Sequence, residues 1–268
     1  MSNKVALVTG GGSGIGRGIA LALAREQIKV AVVGRRQEKL EEVVLACADF
    51  GGAAVGISAD LCVEEDRRTL CQRVVDRLGG IDILVHGAGV LARGPLEKLQ
   101  GEFASAVATN LTSAMELTSQ ARSELVRRQG SVAFVASTAG RVPFPYVSVY
   151  SGTKHGLVGF AESVRYELES QNVHVMVAYP PMTNTDMVRP MRLPMNYDSE
   201  KLADPERVGA ALTRQLLRRR PVYWGNWKDR LMDSCQRHAP GLTRRLLRCG
   251  RKQFRAMMAE EPTDLSSD

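Results

Sequence analysis

The chain has 268 residues, 44% of them hydrophobic and 24% charged, with a formal net charge of +7. No run approaches the roughly 20 unbroken apolar residues of a bilayer-crossing helix, which excludes a spanning protein, and a first strand beginning near Val5 leaves no room for an export signal. The five cysteines (Cys47, Cys62, Cys71, Cys235, Cys249) are odd in number and form no Cys-x-x-Cys pair, so reduced thiols, a cytoplasmic location and no metal site are expected.

Short β-branched runs alternate with longer amphipathic ones, the pattern of βαβ units around a parallel sheet. Strands are predicted at 5–9, 30–34, 54–58, 81–86, 131–136 and 173–179, with a seventh at 221–224. Helices are predicted at 14–26, 37–50, 64–78, 103–129, 150–171 and 205–219, the last with Asp204 as N-cap and Pro205 at its first position. The fold class is therefore α/β, a doubly wound parallel sheet of about seven strands with helices on both faces. Residues 1–225 are read as this domain, including a substrate loop at 180–204. Residues 226–258 are read as a basic helical extension packed on it, and 259–268 as an acidic, disordered tail.

The first strand runs into Thr9-Gly10-Gly11-Gly12-Ser13-Gly14-Ile15-Gly16, which opens a helix. Glycines at this junction let the backbone turn tightly and aim helix N–H groups at a pyrophosphate. Alone, such a turn is also an ordinary strand-to-helix connection. The second strand ends at Gly34-Arg35-Arg36, with no carboxylate to bind ribose hydroxyls. A guanidinium there suits a 2′-phosphate, so NADP(H) is expected over NAD(H), unless the two arginines are merely solvated. After the third strand, Asp60-Leu61 is placed to receive an adenine amino group or to cap the next helix. After the fourth comes His86-Gly87-Ala88-Gly89.

Asn110, Ser137, Tyr150 and Lys154 come from separate segments that meet at the carboxyl ends of such strands. Tyr150 and Lys154 are four apart and share a helix face, so an ammonium beside a phenol is expected to lower the phenol from its ordinary value of about 10. Tyr150 then becomes a proton donor near neutral pH, and Ser137 bonds a carbonyl oxygen as charge develops on it.

These residues resemble the short-chain dehydrogenase/reductase family, whose pattern is Thr-Gly-x-x-x-Gly-x-Gly, then an Asn, a Ser and Tyr-x-x-x-Lys. The resemblance covers roughly residues 3 to 225. It implies a Rossmann-type fold, with Tyr150 as acid/base, Lys154 also holding the nicotinamide ribose, Ser137 positioning the carbonyl and Asn110 supporting a water-linked proton relay. It further implies that Gly87, Ala88, Gly89, Pro180, Thr183 and Thr185 border the cofactor, Thr185 at the nicotinamide amide. Homodimers or homotetramers through the helices at 103–129 and 150–171 are also implied. The chain departs from the pattern at His86, where the family has Asn, and at Pro181, where it has Gly; His86 is read as a structural histidine rather than a catalytic one.

The run Ala178 to Thr185 is similar, over a short stretch, to the 3-ketodihydrosphingosine reductases. Met182, Met187, Met191 and Met195 follow the same direction, toward an irregular apolar ligand, or else fill core space. From Lys201 to Met258 there are fifteen basic residues against four acidic ones. On a helical wheel of 241–258, Leu242, Leu246, Leu247, Gly250, Phe254, Met257 and Met258 oppose the arginines, and Trp224, Trp227 and Leu231 lie upstream. Three readings stand for 224–258: peripheral membrane contact, packing on the domain or a second subunit, and nucleic acid, for which no recognition motif is present. For the whole chain the expectation is an NADPH-dependent carbonyl reductase of a hydrophobic or lipid-like ketone, 3-ketosphinganine-like or 3-ketoacyl. The alternative is a non-catalytic NADP(H) sensor docking through its basic helices.

Overall fold

A computed structural model describes residues 4–191 and 202–258; the predicted acidic tail, Met195 and most of the second half of the substrate loop lie outside the described residues. Seven parallel strands form one sheet in the order β3-β2-β1-β4-β5-β6-β7: β1 Val5–Thr9, β2 Lys29–Gly34, β3 Ala54–Ser58, β4 Ile83–His86, β5 Ser131–Val135, β6 His174–Tyr179 and β7 Val222–Trp224. The helices are α1 Gly14–Arg25, α2 Gln37–Ala48, α3 Glu64–Leu78, α4 Phe103–Val107, α5 Ser113–Arg127, α6 Ser148–Glu169, α7 Pro205–Leu217, α8 Trp227–His238, α9 Pro240–Cys249 and α10 Arg251–Met258.

β1, β4 and β6 are buried along their whole length, which is why they read as unbroken apolar runs. Leu7, Phe134 and Val177 face a core completed by Leu70 of α3, Leu117 of α5 and Leu157 of α6. Val8, Val32 and Ala178 face the other, completed by Ile19, Leu40 and Leu212 of α1, α2 and α7. α1 and α7 approach most closely where Gly18 meets Pro205 and Gly209, since a Cβ on either glycine would collide with backbone. Asp204 caps α7 as expected, accepting from the Arg207 amide at 2.8 Å.

Strand order reverses between β1 and β4, and the crevice that serves as the ligand site in such sheets opens there, beyond the carboxyl ends. Beyond ends shifted by one or two residues, two predicted elements differ in the structure. The helix expected at 103–129 contains a π turn at Ala108–Thr112, between α4 and α5, and Asn110 sits in it. The tail helix expected at 241–258 is divided into α9 and α10 at Gly250, with Pro240 opening α9.

Candidate active site

A cleft of about 630 Å³ lies over the carboxyl ends of the strands. At its floor Gly10, Gly12, Ser13, Gly14, Ile15 and Gly16 lead from β1 into α1. Gly10 has φ +66°, and a Cβ there would stand 2.7 Å from the Ala88 backbone, so glycine is required for the turn and for the approach of the β4 loop. α1 begins with no side-chain cap on its N-terminal amides and no acidic residue in its first turn. Those free donors and the helix dipole fit a pyrophosphate. Thr9, absent from the predicted site, braces the wall opposite: its hydroxyl donates to the Val85 carbonyl and accepts from the Gly87 and Ala88 amides at 3.2 and 3.3 Å.

Arg35 and Arg36 line the far end of the cleft with Lys39 and Leu40 of α2. Arg36 faces Asp186 of the loop after β6 at 3.6 Å and reaches the Ser13 hydroxyl at 3.4 Å. Two guanidinium groups and an ammonium around one opening fit a 2′-phosphate. Asp60 and Leu61 also line the cleft. One Asp60 oxygen accepts from the Cys62 amide at 2.9 Å in a local turn, and the α3 N-cap is Val63, so Asp60 does not cap that helix. Buried Arg67 fastens this loop by donating to the Leu61 and Cys62 carbonyls.

Gly87, Ala88, Gly89, Pro180 and Thr185 border the cleft, joined by Leu91, Arg93, Asp186 and Met187. Thr183 does not: it is 3% exposed, its hydroxyl donates to the Pro181 carbonyl at 2.6 Å, and its backbone bridges to Ala203. It shapes the loop from behind.

Tyr150 and Lys154, one turn apart on α6, both reach the cleft, and the Ser137 hydroxyl bonds the Tyr150 phenol. Ser137 is held at the end of β5 as the cap of a short 3-10 turn, accepting from the Ala139 amide at 3.2 Å. Asn110 lies beneath. Its side chain clasps Val90, accepting from the amide at 2.8 Å and donating to the carbonyl at 2.9 Å, and also donates to Thr153 at 3.0 Å. These three bonds brace the 87–91 loop against α6.

The electrostatics depart from expectation at the phenol. Burial pushes Tyr150 above its ordinary value, with the Ser137 hydrogen bond pulling it back in part. The Lys154 ammonium, expected to lower it, is hydrogen-bonded to the Val135 carbonyl at 2.9 Å. Burial in turn brings Lys154 down to about 8. His86 is buried, stacked on Phe134 at 4.9 Å and bonded to the Thr118 hydroxyl at 2.9 Å, a structural histidine as expected.

Beside Tyr150, Leu91, Phe144, Tyr146, Val188 and Met191 cluster with Phe254, Met257 and Met258 of α10. The helical wheel places these last three on an apolar face without naming what they pack against; here they pack beside Tyr150, and of this cluster only Leu91 and Tyr150 also line the cleft. Among the described residues no group of acidic, histidine or cysteine side chains could hold a metal, and no helix is long and apolar enough to cross a membrane.

The sequence model of the short chain dehydrogenase family matches residues 4–196. The chain is 35% identical over 182 residues to the ketoacyl reductase HetN of Nostoc sp., covering 67% of this chain and 63% of that one. It is 33% identical over 192 residues to the human 3-oxoacyl-[acyl-carrier-protein] reductase, covering 71% and 80%. Among solved structures, a dehydrogenase/reductase from Sinorhizobium meliloti superposes with a TM-score of 0.72 at 29% identity, over 81% of this chain and 88% of that one. A variant actinorhodin polyketide ketoreductase with NADPH superposes with a TM-score of 0.71 at 27% identity, over 80% and 90%. With its dinucleotide turn, its Ser-Tyr-Lys set and a match that runs through both, the chain belongs to the short-chain dehydrogenase family.

Proposed function

We propose that this protein is a cytoplasmic, NADPH-dependent carbonyl reductase that converts a hydrophobic ketone to a secondary alcohol. The observation that carries the reading is a cleft lined at one end by Tyr150 and Lys154, with Ser137 bonded to the phenol, and at the other by Arg35, Arg36 and Lys39. A reduced nicotinamide held by the Gly10–Gly16 turn and Lys154 would supply hydride to the carbonyl carbon. Tyr150 gives its phenolic proton to the carbonyl oxygen, so the C=O π bond is replaced by one C–H and one O–H bond. Ser137, bonded to the same phenol, holds that oxygen and stabilises the charge gathering on it. Lys154 holds the ribose and keeps a positive charge within reach of the phenolate left behind. Arg35 and Arg36 select the phosphorylated cofactor.

The apolar cluster beside Tyr150 supports a hydrophobic substrate, and the one proposed is a 3-ketoacyl or 3-ketosphinganine-like chain. The ketoacyl and oxoacyl reductases among the relatives point the same way. A homodimer or homotetramer is proposed through α4, α5 and α6, where Phe103, Val107, Met115 and Tyr166 are exposed and a Cβ at Gly152 or Gly159 would meet nothing. The intact Ser-Tyr-Lys set favours catalysis over a sensing role.

The test is NADPH depletion across sphingoid, β-ketoacyl, steroid and small aromatic ketones. The expected result is turnover of at least one apolar ketone, falling by roughly a hundredfold or more in Tyr150→Phe. No turnover of any ketone, or equal turnover in the variant, overturns the reading.

A further inference from the structure

α8 and α9 are turned inside out. A helix on a protein surface ordinarily directs its apolar stripe to the core and its polar face to water. α8 instead buries Asp233 alone and leaves Trp227 69% and Leu231 54% exposed. α9 buries Thr243 alone and leaves Leu242 51% and Leu246 60% exposed. The inward contacts of α8 are polar: Asp233 pairs with Arg141 at 3.1 Å and Asp229 bonds Thr138, while Arg237 on the same helix closes over Asp233 at 2.6 Å. These bonds fix the orientation, because turning the helix over would bury Trp227 and Leu231 only by breaking the Arg141 bridge.

The same surface is strongly basic. From Trp227 to Met258 there are nine basic residues against two acidic ones, a net +7, and Asp233 is already buried under its arginines. Arg230, Arg244, Arg245 and Arg248 are exposed beside the apolar side chains. A second copy of the chain, meeting this face through a two-fold axis, would bring two such surfaces together with only the half-buried Asp229, among the described residues, to offset them. An anionic, partly apolar surface complements both features at once.

We propose that α8 and α9 seat the protein on an anionic lipid bilayer, with Trp227, Leu231, Leu242 and Leu246 in the headgroup boundary and the arginines on lipid phosphates and carboxylates. α10 follows α9 directly and packs Phe254, Met257 and Met258 into the apolar cluster that includes Tyr150, so the docked face is joined in the chain to a helix beside the site. The docking does not depend on the proposed reaction, and its assay needs no turnover.

The experiment is co-sedimentation of the full chain with phosphatidylcholine vesicles, with and without phosphatidylserine. Pelleting is expected only with phosphatidylserine and is expected to be reversed by high salt. The exchange of water for lipid around Trp227 shifts its emission to the blue, a signal that Trp227→Phe removes. The double variants Leu242→Gln/Leu246→Gln and Arg245→Gln/Arg248→Gln should each weaken binding by at least tenfold. Their far-UV circular dichroism and NADPH binding should be unchanged, because all four side chains are exposed and lie outside the cleft. The proposal is overturned by failure to pellet with phosphatidylserine, or by undiminished pelleting of folded variants. It is equally overturned if the leucine variant breaks an oligomer in the absence of lipid, which gives the face to a second copy, or if a duplex oligonucleotide binds while vesicles do not.

Discussion

The ammonium of Lys154 stands 5.7 Å from the centre of the Tyr150 ring. It is 4% exposed and hydrogen-bonds the Val135 carbonyl, so its charge is held in place at a cost. Burial moves it from 10.5 to about 8. The folded chain thus releases this proton near 8 while the unfolded chain keeps it to about 10.5. Between these values the unfolded state binds more protons, and stability rises with pH. At neutral pH the charge destabilises the fold by up to roughly 3 kcal/mol, at about 1.4 kcal/mol per pH unit of displacement. Lys154→Met removes this and loses a carbonyl hydrogen bond worth about 1 kcal/mol. The expected outcome is a variant without ketone reduction whose Tm is a few degrees higher, and whose stability no longer climbs between pH 8 and 10. A lower Tm in thermal melts would count against this account of the ammonium.

Arg36 meets Asp186 across the cofactor end of the cleft, with both side chains more than half exposed. An exposed pair of this kind contributes well under 1 kcal/mol, and a phosphate competes with it easily. Asp186→Asn frees the guanidinium and should tighten NADPH binding by about two- to fivefold, leaving NADH unchanged. Arg36→Asp removes the phosphate contact and adds a repelling carboxylate. It should lower kcat/KM for NADPH by roughly a hundredfold and raise that for NADH. Parallel titrations with the two cofactors check both, and equal effects on NADH and NADPH would remove Arg36 from 2′-phosphate recognition.

Much of this was legible because it is written in contiguous residues. The strands Val5–Thr9 and Ala54–Ser58 were located to the residue by their apolar runs, and Gly10 to Gly16 and Tyr150 to Lys154 each span a single turn or loop. What escaped depends on partners distant in sequence. The wheel separated the two faces of the tail but not which face turns inward, since that is decided by Arg141, 92 residues before Asp233. It also joined Leu246 to Met257 on one side, whereas the break at Gly250 leaves the first exposed and buries the second. The π turn around Asn110 adds a residue to a helical turn without disturbing the apolar pattern. The turning of Lys154 toward Val135 follows from the depth of β5 beneath α6, which no spacing encodes.

His86 occupies the position where the family carries Asn, and its chemistry differs at acid pH. Thr118 donates its hydroxyl proton to the Ala114 carbonyl at 2.7 Å, so toward His86 it accepts, and Nε2 carries the imidazole proton. Burial, with Lys154 nearby, drives the ring down to about 3. The unfolded chain takes up a proton near 6.5, so stability falls as pH drops from about 6.5 toward 3, at most by about 1.4 kcal/mol per unit. His86→Asn keeps a polar group for Thr118 and removes this slope. The measurement is the difference between wild-type and variant denaturant midpoints from pH 7 to 4. It should shift in favour of the variant as the pH falls, and a constant difference would mean that His86 titrates normally.

Phe254 lies 5.7 Å from Phe144, and with Met257 and Met258 it closes the apolar cluster over Tyr150. If this cluster is where the substrate's hydrocarbon lies, its loss is felt in proportion to chain length. Phe254 is half-buried, so its truncation leaves the fold standing, whereas Met257 and Met258 are more deeply packed. Phe254→Ala removes apolar contact worth about 1–2 kcal/mol to a long-chain ketone. It should raise KM for that ketone by roughly tenfold with kcat within about twofold, while a small aromatic ketone that ends short of α10 is affected less than twofold. Steady-state kinetics on the two ketones separate this from general damage, which would depress kcat for both. Equal changes in KM for the long and the short ketone would take α10 out of the substrate wall and leave it as packing for the loop that carries Met191.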